Sequence, residues 1–305
     1  GHAWRGAFDA GLIQNTYLFN AIDAAIYAWH MPLFFFLSGL IALDVLQRTA
    51  LLRFLGGRVR RLLWPLALWT WVFFGVKLLA GQAANHPVSM SQFPLIPLPP
   101  YEHLWFLWAL LLAQMCVLGL WLGLRRLLDA RQMRVVFAGL ALGLCVLVPF
   151  VYVPSPLFGA AVQHFPYFAA GIAMSGMRTV RPPLWLAVLA GAGVAVLLGG
   201  GPFNWTSMLV SLVLVVLIST VVAHVDANRE RPPTGIALLR LLGQYSMAIF
   251  LAHTIFSAAF RIGLLAVGVD GLAPHLITAV VVGILGPILL VHFSRLMRVE
   301  KLLGF

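Results

Sequence analysis

Runs of about 20 apolar residues, the length that crosses a bilayer as a helix, recur along the chain and are separated by short polar or basic stretches. The pattern predicts helices near residues 24–46, 62–80, 103–124, 135–153, 165–177, 184–200, 206–224, 241–260 and 276–294. The fifth is short, starting after Pro166, and reads as tilted or partly re-entrant. The chain opens on Gly1-His2-Ala3-Trp4, with no charged leader and no cleavage site. A first helix that ends near His2 and has its body upstream of residue 1 is therefore expected. The expected fold class is an all-α polytopic membrane protein. It has nine full transmembrane helices plus the end of a truncated first, about ten in the full protein. Residues 1–305 read as a single integral-membrane domain with no separate soluble domain.

Composition agrees with that pattern. The chain is 62% hydrophobic and only 10% charged, whereas soluble domains carry about 25% charged residues. The net charge of +11 is not a nucleic-acid signature, because the basic residues sit in clusters between apolar runs. One set of connections holds Arg48, Arg53, Arg58, Arg60 and Arg61; Arg125, Arg126, Arg131 and Arg134; Arg178 and Arg181; Arg229, Arg231 and Arg240; and Arg295, Arg298 and Lys301. The other set, 81–102, 154–164, 201–205 and 266–275, has no Arg or Lys. Strict alternation places the basic loops and the C-terminus in the cytoplasm, with the start of the 24–46 helix outside. The longest outer loop, 81–102, ends in Phe93-Pro94-Leu95-Ile96-Pro97-Leu98-Pro99-Pro100, a stiff extended stretch. It reads as a spacer or as the cover of an outer site. Cys116 and Cys145 fall inside apolar runs and read as small core residues.

This orientation ranks the histidines by depth. His2 ends the truncated helix outside, His30 lies less than two turns below the outer end of its own, and His103 and His164 open their helices from outside. His253 is about 12 residues, or about 18 Å, from the inner end of its helix. His224 and His292 sit at inner ends, and His86 and His275 in outer loops. A satisfied interhelical hydrogen bond with a proline kink accounts for His30 in Ala28-Trp29-His30-Met31-Pro32 taken alone. Five histidines in one layer are better explained by a polar cavity. Lys77 and Arg261 approach the same level, Lys77 as a side chain that can snorkel to the headgroups. Asp23 precedes His30 by seven residues on one helix face, and through Tyr27 or directly it could bias the imidazole tautomer. No histidine pair stands at i, i+4 and no Glu accompanies one as in zinc hydrolases, so no metal site is expected. Ser38-Gly39 reads as a packing notch, and no Gly-x-Ser-x-Gly elbow is present.

The stretch His30-Met31-Pro32-Leu33-Phe34-Phe35-Phe36-Leu37-Ser38-Gly39 resembles the second-helix signature of the family-3 membrane acyltransferases, within them the sugar O-acetylase-like branch. Gly1-His2 is similar to the end of that family's first helix, which carries a catalytic His ten residues after an Arg. Arg58, Arg60 and Arg61 before Pro65 resemble its basic first cytoplasmic loop. His103-Leu104-Trp105-Phe106-Leu107, Phe165-Pro166-Tyr167-Phe168, and Leu242-Gly243-Gln244-Tyr245-Ser246 with His253 resemble later landmarks.

The resemblance implies an enzyme of the cell (inner or plasma) membrane, spanning the lipid bilayer. It would move an acyl group, usually acetyl, from cytoplasmic acyl-CoA to a hydroxyl of an extracytoplasmic carbohydrate or glycan. No bound cofactor is implied, since acetyl-CoA is a substrate. Arg58, Arg60 and Arg61 would bind the CoA phosphates, though topology alone also accounts for them. A sugar hydroxyl needs a base as it attacks the thioester. His2 is the implied base, with His30 as partner or substrate orienter. Asp23, His103, His253 and Arg261 are acceptor-side candidates, and Arg261 or His253 could donate to the oxyanion. A different class, a polytopic carrier or flippase for a lipid-linked sugar or small acid, would use the same histidines as a proton relay. Acceptor identity, acyl chain length and direct transfer versus an acyl-enzyme stay open on the sequence.

Overall fold

The protein is seen in a computed structural model that describes residues 1–151, 153–176, 205–227 and 234–305. Among these residues there is helix and no strand. The helices are α1 (His2–Asp9), α2 (Thr16–Arg48), α3 (Leu51–Arg58), α4 (Trp64–Ala80), α5 (Trp105–Leu124) and α6 (Ala130–Leu147). They continue with α7 (Gly159–Met174), α8 (Trp205–Ala227), α9 (Thr234–Gln244), α10 (Ser246–Ala266) and α11 (Leu272–Leu296). Six helical stretches among the described residues are long and apolar enough to cross a membrane: Thr16–Arg48, Leu51–Ala83, Glu102–Leu124, Ala130–Phe150, Ser246–Ala266 and Leu272–Leu296. The protein is an all-α, multi-pass membrane protein. The helix expected at 184–200 and the basic residues Arg178, Arg181, Arg229 and Arg231 lie outside the described residues.

Several expected helix ends move, each for a local reason. α2 starts at Thr16 rather than 24, because Asn15 caps it: the Leu18 N–H donates to Asn15 Oδ1 at 2.9 Å. α6 starts at Ala130 rather than 135, held by a reciprocal capping box between Asp129 and Gln132. The basic stretch 48–61 is not a loop. It folds as α3 and a π turn, Val59–Leu63, that runs into α4. Pro65 has no N–H to return to the preceding turn, and the wider π turn carries the helix past that position. Pro166 does not open α7. The helix begins at Gly159 with Pro166 inside it, so His164 sits within the helix rather than at its mouth. The helix expected over 241–260 is interrupted at Tyr245, between α9 and α10, and then runs on to Ala266. α11 begins at Leu272, so His275 is a buried helical residue rather than a loop residue, with Nε2 donating to Val269 O at 2.6 Å. Cys145 is buried as expected, but Cys116 is exposed.

The chain divides into two compact units, residues 1–23, 60–104 and 234–305 in the first and 24–59 and 105–233 in the second. In the first, α10 and α11 pack along each other, α1 packs on both, and α4 packs on α10. Ser257 Oγ donates to Ala279 O at 2.8 Å. The absent side chains of Gly283 and Gly286 make room for Ser257 and for the Phe256 ring. In the second unit, α7 packs against α5 and α6, and α6 against α8. The Ser38-Gly39 notch is used there. Gly39 of α2 faces the Phe168 carbonyl and Gly171 of α7, and Gly171 faces the Phe36 carbonyl, so the two backbones touch.

That contact gives a sign test. A Cβ at Gly39 or Gly171 meets backbone, whereas one at Gly139 in α6 meets nothing within 4 Å. Gly39→Ala and Gly171→Ala are expected to destabilise by about 1–3 kcal/mol through overpacking. Gly139→Ala is expected to gain up to about 1 kcal/mol of helix propensity. Melting temperatures in detergent check the contrast.

Candidate active site

α1 carries the residue of most interest, His2. On α1, His2, Gly6 and Asp9 recur at helical spacing and share a face. Trp4 Nε1 donates to Phe19 O at 3.2 Å, and the Phe8 ring stacks on Phe19 at 3.8 Å. Arg5 adds a two-pronged ion pair, Nε to Asp23 Oδ1 at 2.7 Å and Nη2 to Oδ2 at 2.6 Å. The planar guanidinium fork suits this paired geometry. Asp23 therefore turns both oxygens to Arg5, a residue the sequence reading had not singled out. Its signal was an arginine one turn from His2 and, like Lys77 and Arg261, outside the basic loops.

Three histidines meet in this unit. The His2 ring centre lies 5.2 Å from that of His103 and 5.1 Å from that of His253, and His103 and His253 are 5.2 Å apart. His103 is buried, in the turn Glu102–Leu104 just before α5. That turn has Glu102 at φ +49°, a conformation uncommon for a residue with a side chain. Lys77 pairs with Glu102 and lies over the Tyr101 ring at 5.1 Å. The pair ties the turn that aims His103 to α4.

Both neighbours of His2 are oriented by one backbone oxygen. His103 Nε2 lies 2.8 Å from Phe250 O, and His253 Nδ1 lies 3.0 Å from the same oxygen and 2.7 Å from Ile249 O. A carbonyl oxygen only accepts, so each of these ring nitrogens carries its proton. In the neutral rings, His103 Nδ1 and His253 Nε2 are left as lone-pair nitrogens.

Arg261, on α10, crosses α1 at Gly6, where any Cβ would strike its guanidinium. Gly6 is four residues from His2, about 6 Å along the helix. Arg261 Nη2 donates to Asn85 Oδ1 at 3.1 Å, and Asn85 Nδ2 reaches toward Gly6 O at 3.5 Å. Asp9 supplies a nearby negative charge. Asn85 belongs to the 81–102 loop, so that loop takes part in the site rather than acting as a spacer alone.

The second unit holds the other two histidines of the expected layer. The His30 ring is 5.3 Å from Phe34. The aromatic series continues through Phe106 and Phe35 to His164, whose ring is 4.9 Å from Phe35. His164 Nδ1 donates to Ala160 O at 2.9 Å. Arg58 is half-buried in this unit, with Nη1 donating to Gln114 Oε1 at 2.8 Å and the guanidinium over Phe54 at 4.7 Å. Gln114 is a buried amide in the middle of apolar α5 and was also missed from sequence. Arg60 and Arg61 are exposed on the π turn, within the first unit. Among the described residues no group of three or more His, Cys, Asp or Glu could hold a metal ion.

Over residues 1–292 the chain matches the family described as an acyltransferase domain. It belongs to the acyltransferase 3 family. The curated proteins and the solved structures compared with it gave no match. An acyltransferase of this family is a membrane enzyme with an acyl donor and an acceptor. Its reaction needs a proton acceptor, an anion stabiliser and donor contacts, and the residues around His2, Arg261 and the basic turn are of those chemical types.

The Arg5–Asp23 pair is the testable anchor of α1. Arg5→Ala and Asp23→Ala each strand a partly buried charge and are expected to cost about 1–3 kcal/mol. The double variant should recover part of the loss, and a thermal-shift cycle in detergent measures that coupling.

Proposed function

We propose that this acyltransferase moves an acetyl group from acyl-CoA to a hydroxyl of an extracytoplasmic carbohydrate or glycan, as in the sugar O-acetylase-like branch. The protein would lie in the cell membrane with its basic end and C-terminus cytoplasmic. The observation that carries the reading is the triangle of His2, His103 and His253, in a family that transfers acyl groups. His2 accepts the proton of the sugar hydroxyl as its oxygen attacks the thioester carbonyl. A carbon–oxygen bond forms, and the carbonyl oxygen becomes an alkoxide. Arg261 stabilises it, because the N–H of neutral His253 is committed to backbone. Collapse breaks the carbon–sulfur bond, the thiolate leaves, and the proton held on His2 returns to it. The products are an O-acetyl ester and CoA.

On the donor side, Arg58, Arg60 and Arg61 bind phosphate. Gln114 and the Phe54 ring fix the direction of the Arg58 guanidinium, which suits a forked contact to an oxyanion. His30, within its aromatic surround, orients the acceptor or supports the base.

The roles of His2 and His30 separate kinetically. His2→Ala is expected to lower kcat at least about a hundredfold with KM nearly unchanged, because a base acts in the transition state. His30→Gln keeps a hydrogen-bonding group and should retain measurable turnover, with His30→Ala weaker. Activity per folded molecule, after sizing in detergent, is the measurement. A His2→Ala protein that turns over like wild type removes His2 as the base.

A further inference from the structure

The last residues of the chain turn back on themselves. α11 ends at Leu296, Arg298 takes φ +57°, and the Val299 N–H reaches back to Ser294 O at 2.8 Å. Left-handed backbone ends many helices, and glycine or asparagine usually occupies it because a Cβ is crowded there. Here the residue is arginine. The reversed segment is then fixed to α4. Trp64 Nε1 donates to Leu302 O at 2.6 Å, and Trp69 Nε1 donates to Leu303 O at 3.0 Å. The Phe305 ring lies 6.0 Å from that of Trp69. Gly304, at φ +85°, leaves so little room that a Cβ would come within 2.7 Å of Pro65 Cγ.

This docking moves charge. Trp64 follows Arg61 by three residues, less than one helical turn, and Leu302 follows Lys301 directly. Arg298 and Lys301 are thereby brought to the end of α4 that carries Arg60 and Arg61. All four are exposed, and none is ion-paired with a described residue. The segment's acid, Glu300, has Oε2 buried and hydrogen-bonded to nothing among the described residues, so that oxygen is withdrawn from the exposed face. Membrane topology accounts for arginines at one end of a helix. It does not account for a left-handed arginine, or for two indoles donating to consecutive carbonyls of the segment that bears it.

We propose that the segment Arg298–Phe305, docked on Trp64 and Trp69, is part of the acyl-donor site, where Arg298 and Lys301 join Arg60 and Arg61 on the phosphates of the donor's nucleotide. The proposal rests on the reading of the donor as acyl-CoA. It concerns residues beyond position 292, where the family match ends. A phospholipid headgroup offers the same phosphate chemistry, so the experiment separates the two sources.

The full chain is assayed in nanodiscs of phosphatidylcholine alone and with added phosphatidylglycerol, using acetyl-CoA and 3′-dephospho-acetyl-CoA as donors. Arg61→Gln serves as the reference for donor binding. Lys301→Gln and Arg298→Gly are each expected to raise the donor KM about three- to tenfold in phosphatidylcholine, with kcat and acceptor KM unchanged. The effect should shrink with the dephospho donor. Arg298→Gly relieves the left-handed position, so its melting temperature should hold or rise even as donor KM worsens. A merely structural tail would move stability and leave KM alone. Trp64→Phe with Trp69→Phe, which frees the carbonyls, should reproduce the KM change. Unchanged donor KM in both tail variants beside a raised value in Arg61→Gln overturns the tail's role and leaves the donor reading standing. Unchanged values in all three overturn that reading as well. An effect seen only with phosphatidylglycerol assigns the cations to lipid headgroups, and also overturns the proposal.

Discussion

The Phe250 carbonyl oxygen accepts from two imidazoles, His103 Nε2 and His253 Nδ1. An unpaired imidazole in an apolar bundle is costly, and this shared acceptor removes the cost for one N–H of each ring. Together with Ile249 O, 2.7 Å from His253 Nδ1, it also decides their tautomers, and with them the character of the space around His2. Two lone-pair nitrogens, rather than two donors, remain on rings centred about 5 Å from the His2 ring. Arg261 adds a guanidinium against α1, which it can approach at residue 6 because that residue is glycine.

Holding His2 in place falls to contacts of α1 and of the segments around it. The Arg5–Asp23 fork and the stacking of Phe8 on Phe19 fasten α1 to the first turns of α2. Asn85 binds Arg261 from the 81–102 loop. The pairing of Lys77 with Glu102 ties down the turn that presents His103.

Much of the architecture was legible in the sequence, because helices in a bilayer must be apolar over a fixed length. Their ends were less legible. Asn15 and the Asp129–Gln132 box start helices five to eight residues before the hydrophobic pattern does. The π turn before Pro65 and the interior Pro166 keep helix going where proline suggests a stop. The histidine layer was readable as depth, and three of its members, His2, His103 and His253, do meet. The partners were not readable. Arg5 with Asp23, Arg58 with Gln114, and Arg261 with Asn85 and Gly6 are joined by tertiary packing across 18 to 255 positions, which no local spacing encodes. Family membership came from landmarks spread over most of the chain rather than from one dense motif.

The proposed acyl transfer runs through His2, from a donor at the basic end to a hydroxyl on the other side of the membrane. Sealed proteoliposomes of one orientation test it most directly. Labelled acetyl-CoA is added on the side of the basic turn, and a carbohydrate pool is enclosed on the opposite side. The account predicts alkali-labile label on the enclosed carbohydrate, at least about a hundredfold slower with His2→Ala. Label that appears only when both substrates share one side, or that forms equally fast without the His2 imidazole, would contradict it.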